Sequence, residues 1–190
     1  MIQDEMTRTI VISIALACAA LAAAVAARAA TVAVSATVSA GTTLSVTQNG
    51  TPSLPVTLNG DDQTPTYTLP VQVVDARGLA TGGGWNLTVT STQFSDGAGH
   101  TFPTTASTIT AASSACASTS TCVQPTNGVA YTVAVPAAAT APAAVKYFNA
   151  ASPTGRGRIN VDATVQVAVP ANVFAGSYSS TVTVSIVAGP

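Results

Sequence analysis

The stretch that most constrains this chain is INVDATVQVAV at 159–169. Ile159, Val161, Ala163, Val165, Val167 and Val169 alternate with Asn160, Asp162, Thr164 and Gln166. A period of two collects every apolar residue on one face of an extended strand, whereas a helix would scatter them around its axis. Such a strand has one greasy face, so the fold must supply a second layer to cover it. A second stretch, VQVVDARGLATGGGWNLTVTSTQF at 71–94, repeats the pattern twice around a turn. Tyr67, Leu69, Val71 and Val73 share one face, and Asp75 and Arg77 close the run. Gly78 and Gly82–Gly84 allow the backbone to reverse, because glycine reaches positive φ without a steric penalty. Trp85, Leu87 and Val89 then line a face opposite Asn86, Thr88 and Thr90. Phe94 is out of phase with that face, so either a bulge lies near Ser91–Gln93 or the strand stops there.

The other segments extend the pattern. Strands are predicted at Thr31–Ser39, around Leu44 and Val46, and over Leu54–Leu58, where Pro52 and Pro55 favour an edge. Further strands are predicted at Thr104–Ala112, weakly, at Val129–Val135, and at Tyr178–Ile186. Ala143–Asn149 reads as a short helix or a strand, and Ala137–Ala144 as a loop, because Pro136 and Pro142 oppose a longer helix. The expected fold is an all-β antiparallel β-sandwich of about nine or ten strands with long Ala/Thr/Pro-rich loops and an N-terminal signal helix.

Charged residues make up only 7% of the chain and the net charge is -1. That balance excludes the basic footprint expected of a nucleic-acid binder or of a protein held to an anionic membrane surface. Residues 1–29 read as a signal peptide. Arg8 precedes the apolar run Ile10–Ala26, and Ala27-Arg28-Ala29 matches a small-x-small cleavage pattern. Residues 30–190 then form one domain, with no membrane segment left after cleavage. Cys116 and Cys122 are an even pair in an exported chain and read as a disulfide stapling a local loop. A zinc pair is the rival reading, but His100 is the sole histidine and there is no second cysteine pair. With one histidine in a glycine-rich loop and no serine in a nucleophile-elbow setting, no catalytic residue, metal ligand set or cofactor is expected. Arg156 and Arg158 flank Gly157 and read either as a grip for a carboxylate or phosphate or as a solvated turn.

Two groups of residues carry a family resemblance. The first is Asp75-Ala76-Arg77-Gly78, then Gly83-Gly84, then Trp85-Asn86-Leu87-Thr88-Val89. The second is Ala175-Gly176-Ser177-Tyr178 followed by Thr181-Val182-Thr183-Val184-Ser185-Ile186 and Pro190. Together they resemble the WxL domain of bacterial cell-surface proteins. Val184 and Ile186 depart from the family pattern, which has a second tryptophan and a leucine there. The resemblance implies a secreted, non-enzymatic protein of the cell surface or cell wall. It would attach non-covalently to peptidoglycan or another wall glycan and work alongside other surface proteins. Trp85 would then offer a stacking platform, with Asn86, Asp75 and Arg77 hydrogen-bonding to the ligand and Leu87 and Tyr178 completing the site. The alternative for Trp85 is a core anchor, since it shares a face with Leu87 and Val89. The alternative for Asp75 and Arg77 is a pair that fixes the glycine loop. A different reading of the whole protein is a pilus or surface-coat subunit, in which a strand such as Thr31–Ser39 pairs with a neighbour's sheet edge.

Overall fold

The structure, a computed structural model, describes residues 33–79, 81 and 83–189. The expected signal peptide at 1–29, and Thr31 and Val32 of the first expected strand, lie outside the described residues. Contacts divide the chain into Met1–Val38 and Ser39–Pro190. In the first unit, residues 33–38 carry no strand and are exposed. The expectation of a first strand at Thr31–Ser39 is corrected over these residues, whose alternating valines pair with no strand among the described residues.

The second unit is all-β, with nine strands among the described residues. They are β1 Leu44–Gln48, β2 Thr66–Asp75, β3 Trp85–Thr92, β4 Ser107–Cys116, β5 Val133–Ala134, β6 Ala137–Ala138, β7 Val145–Ala150, β8 Gly157–Val167 and β9 Val182–Ala188. One sheet has the order β1-β2-β8-β4-β5. In the other, β3 is central, flanked by β9 on one side and by β7 and the short β6 on the other.

The alternation at 159–169 does what its period demands. β8 lies between β2 and β4, pairing antiparallel with both, and buries Ile159, Val161, Ala163, Val165 and Val167 on one face. β2 places Leu69, Val71 and Val73 in the same layer. Trp85, Leu87, Val89 and Phe148 of the opposite sheet close the core. Burying such side chains contributes roughly 1.5–3 kcal/mol each, before entropy is counted.

Three local expectations change. Leu54–Leu58 forms no strand; Pro55 has no N–H for a ladder, and Leu54 and Val56 instead pack on the core from an irregular segment. The strand expected at Val129–Val135 shrinks to Val133–Ala134. The weak strand expected at Thr104–Ala112 is instead Ser107–Cys116, because β8 offers it a partner along its length, from Ser107↔Val167 to Cys116↔Ile159. Phe94 is resolved by strand termination: β3 stops at Thr92, and the only irregularity on this strand is a register shift against β7 between Leu87 and Thr88.

Candidate functional site

The tryptophan end of the sandwich is closed on itself. Trp85 is 0% exposed, stacks on Phe148 at 5.9 Å, and donates its indole N–H to the Gly155 carbonyl at 2.8 Å. The fit permits no side chain at Gly155: a Cβ there would collide with Ala150 and stand 2.7 Å from the indole nitrogen. Asp75 is buried, and Arg77 grips it through two bonds, Nε to Oδ1 at 2.9 Å and Nη2 to Oδ2 at 2.8 Å. The same Nη2 donates to the Gly84 carbonyl at 2.9 Å. Gly84 has φ +104, and a Cβ there would come within 2.6 Å of the Ala150 carbonyl. Burial pushes the Asp75 carboxyl up; the Arg77 hydrogen bonds, with the charges of Arg77 and Arg156, outweigh this and hold it below its ordinary range.

Each expected residue of this stretch therefore has an internal partner. Trp85 has no open face to stack on a sugar, and Leu87 is fully buried beside it. Asn86 is half-buried; its amide donates to the Gly189 carbonyl at 2.8 Å, while its Oδ1 is buried without a hydrogen-bond partner. Asp75 and Arg77 do not reach outward. Nearby, the Cys116–Cys122 disulfide is formed, with Cα atoms 5.5 Å apart. Its loop packs on β8, where a Cβ at Gly157 would lie 3.1 Å from Cys122. Arg158 is exposed, and the Arg156 Nε is buried without a hydrogen-bond partner.

Tyr178 alone of the expected residues lines an open cavity. A cleft of about 600 Å³ lies where the end of β1 and the 51–56 segment meet the approach to β9. Its aromatic lining is Tyr67, Phe94, Phe102 and Tyr178. Phe102 is the buried centre of that group, 5.4 Å from the Phe94 ring and 4.5 Å from the Tyr178 ring. The Tyr178 hydroxyl donates to the Phe174 carbonyl at 3.1 Å, which fixes the ring. Phe174 itself is 65% exposed and packs at a tilt against His100, ring centroids 4.3 Å apart, and His100 is anchored to Asp96. Hydrogen bonding to His100 holds the Asp96 carboxyl below its usual range.

The polar lining is made of amide and hydroxyl groups: Gln48, Thr51, Ser53, Ser179, Ser180 and Thr181. Ser180 donates to the Thr92 carbonyl at 2.6 Å, and Ser179 pairs with Ser95 through the backbone, so this wall is tied to the end of β3. Burial pushes the Tyr67 hydroxyl up to about 12, so it stays neutral at ordinary pH. No side chain lining the cleft is charged. Among the described residues, no three His, Cys, Asp or Glu side chains gather to hold a metal ion.

A family model described as WxL domain surface cell wall-binding matches residues 31–190. The chain is a member of the WxL family. No curated protein and no solved structure matches it. The WxL family is a cell-wall-binding family of the cell surface. In this WxL domain Trp85 and Leu87 of the segment that gives the family its name are buried structure, and Gly176 and Tyr178–Val182 of its distal segment line the cleft.

Sequence reasoning missed Tyr67, Phe94 and Phe102 as cleft residues. Two signals were present: Phe94 breaks the phase of its strand, and Tyr67 ends an otherwise aliphatic face. Neither signal shows that loops distant in sequence bring these rings to Tyr178.

Proposed function

We propose that this WxL domain is exported by a signal peptide at residues 1–29 and holds peptidoglycan non-covalently, taking its glycan strands in the Tyr178 cleft. The observation that carries the reading is the cleft's lining, which combines aromatic rings with amide and hydroxyl groups and has no charged side chain. Sugar rings offer C–H faces to aromatic rings and hydroxyl or acetamido groups to neutral donors and acceptors. Stem-peptide carboxylates or wall phosphates would instead call for arginine or lysine. The glycan part of the wall is therefore the better match. The role is binding, with no chemical step.

Pelleting with purified peptidoglycan, before and after removal of teichoic acid, tests the proposal. Binding should survive the stripping and fall with soluble uncharged glycan fragments as competitor. Binding that disappears with the teichoic acid would overturn it.

A further inference from the structure

Most polar groups of the Tyr178 cleft are either engaged within the protein or fully open to water. The Tyr178 hydroxyl donates to the Phe174 carbonyl, Ser180 to the Thr92 carbonyl, and the Gln48 amide to the Gly50 carbonyl. Thr51, Ser53, Ser179 and Thr181 are exposed. A hydrogen bond at an exposed hydroxyl discriminates little between ligands, because water takes the place of a group the ligand lacks. Tyr67 differs from all of these. It is half-buried, and its hydroxyl makes no hydrogen bond among the described residues.

The strand explains where this hydroxyl lies. Tyr67 stands two residues before Leu69 on β2, so the two side chains share the face turned toward the opposite sheet, and both line the cleft. The larger side chains of the lining are otherwise apolar: Leu54, Val56, Phe94, Phe102 and Val182. Tyr67 thus sets one free polar tip among greasy neighbours. Burial keeps that tip protonated at ordinary pH, so it has a proton to donate.

A cation would find no counterpart there. The described carboxylates are Asp61, Asp62, Asp75, Asp96 and Asp162, and none of them lines the cleft. Asp75 is engaged by Arg77, and Asp96 by His100. An ammonium group brought into the cleft would lose water without gaining an opposite charge.

Resting on the reading that the cleft takes wall glycan, we propose that it selects N-acetylated amino sugars and turns away the same sugars once de-N-acetylated, with Tyr67 as the specificity-determining residue. An acetamido group is neutral and brings a carbonyl for the Tyr67 hydroxyl together with a methyl for the apolar lining. Removing the acetyl group takes both away and leaves an ammonium. A partly buried donor left unpaired adds to the penalty. De-N-acetylation of the wall therefore releases the protein, and the acetylation state of the glycan controls its attachment. Long-range electrostatics runs the other way. The formal net charge is -1, so a wall that gains ammonium groups attracts the chain, and any loss of binding has to arise in the site.

The test compares pelleting with purified peptidoglycan, with the same material after enzymatic de-N-acetylation, and with a third portion then re-acetylated by acetic anhydride. Native wall treated with acetic anhydride controls for the amines of the stem peptides. Affinity should fall at least about tenfold on de-N-acetylation and return on re-acetylation. Tyr67→Phe keeps the ring and removes only the hydroxyl. It should bind native wall about fivefold more weakly at an unchanged thermal midpoint, and its preference for acetylated wall should shrink by the same factor. A purely structural role for Tyr67 would not move that preference. Wild type that fails to pellet with native peptidoglycan would overturn the glycan reading itself. Equal binding before and after de-N-acetylation would overturn the selectivity and leave glycan binding standing. A Tyr67→Phe variant with wild-type affinity and preference would remove Tyr67 from its assigned role.

Discussion

The tryptophan end and the tyrosine cleft lie in one domain and place their aromatic rings in opposite ways. At the tryptophan end, Trp85, Asp75 and Arg77 spend their hydrogen-bonding capacity on Gly155, on each other and on Gly84. In the cleft the Tyr178 and Ser180 hydroxyls also bond inward, to Phe174 and Thr92, but the Tyr67, Phe94 and Tyr178 rings line an open space. A motif whose parts satisfy one another specifies a fold, and a surface whose parts remain available can bind. The residues that name the family are of the first kind here, and Tyr178 is of the second.

The largest effect expected from breaking this contrast is at Trp85. Trp85→Ala should cost about 4 kcal/mol, through the cavity left beside Phe148 and the lost Gly155 bond. Denaturant unfolding would show it as a large drop in midpoint; a variant of near wild-type stability would remove the indole from its assigned role. Arg77→Met leaves the buried Asp75 carboxylate without its partner and should cost about 3 kcal/mol, while wall binding by the protein that remains folded is unchanged. Loss of binding at full stability would instead place Arg77 in the site.

The disulfide closes a short loop away from the cleft. Replacing both Cys116 and Cys122 with Ser should lower stability by about 2 kcal/mol and leave wall binding intact. The acid limb gives a subtler check. The Asp75 carboxyl is held below its ordinary range, so its contribution is present above the unfolded carboxyl pKa and is lost as pH falls through the folded one. Stability should decline more steeply below about pH 4 in the wild type than in Asp75→Asn; equal acid limbs would contradict the assignment.

How much of this was legible depends on the range of the interaction involved. The alternation at Ile159–Val169 and Tyr67–Asp75 announced both long strands, because side-chain period is a local property. The D-x-R-G turn and Trp85 could be placed at a turn, and the sequence allowed both a core and a contact role. Deciding between them required Gly155, far along the chain, whose missing side chain makes room for the indole. The cleft was less visible still. Its rings come from β2, from the chain after β3 and from the approach to β9, and only long-range packing unites them. Thr31–Ser39 shows the opposite failure: its period is that of a strand, yet residues 33–38 pair with no strand among the described residues.

The most direct measurement is an amide and indole NMR titration of the folded protein with soluble peptidoglycan glycan fragments. The single tryptophan gives one indole N–H signal. Binding in the cleft should shift the amides of Gln48 and Ser179–Thr181 while the indole signal stays in place. Tyr178→Ala should weaken the affinity by about tenfold or more. An indole signal that moves with the ligand while the cleft amides stand still would contradict the account.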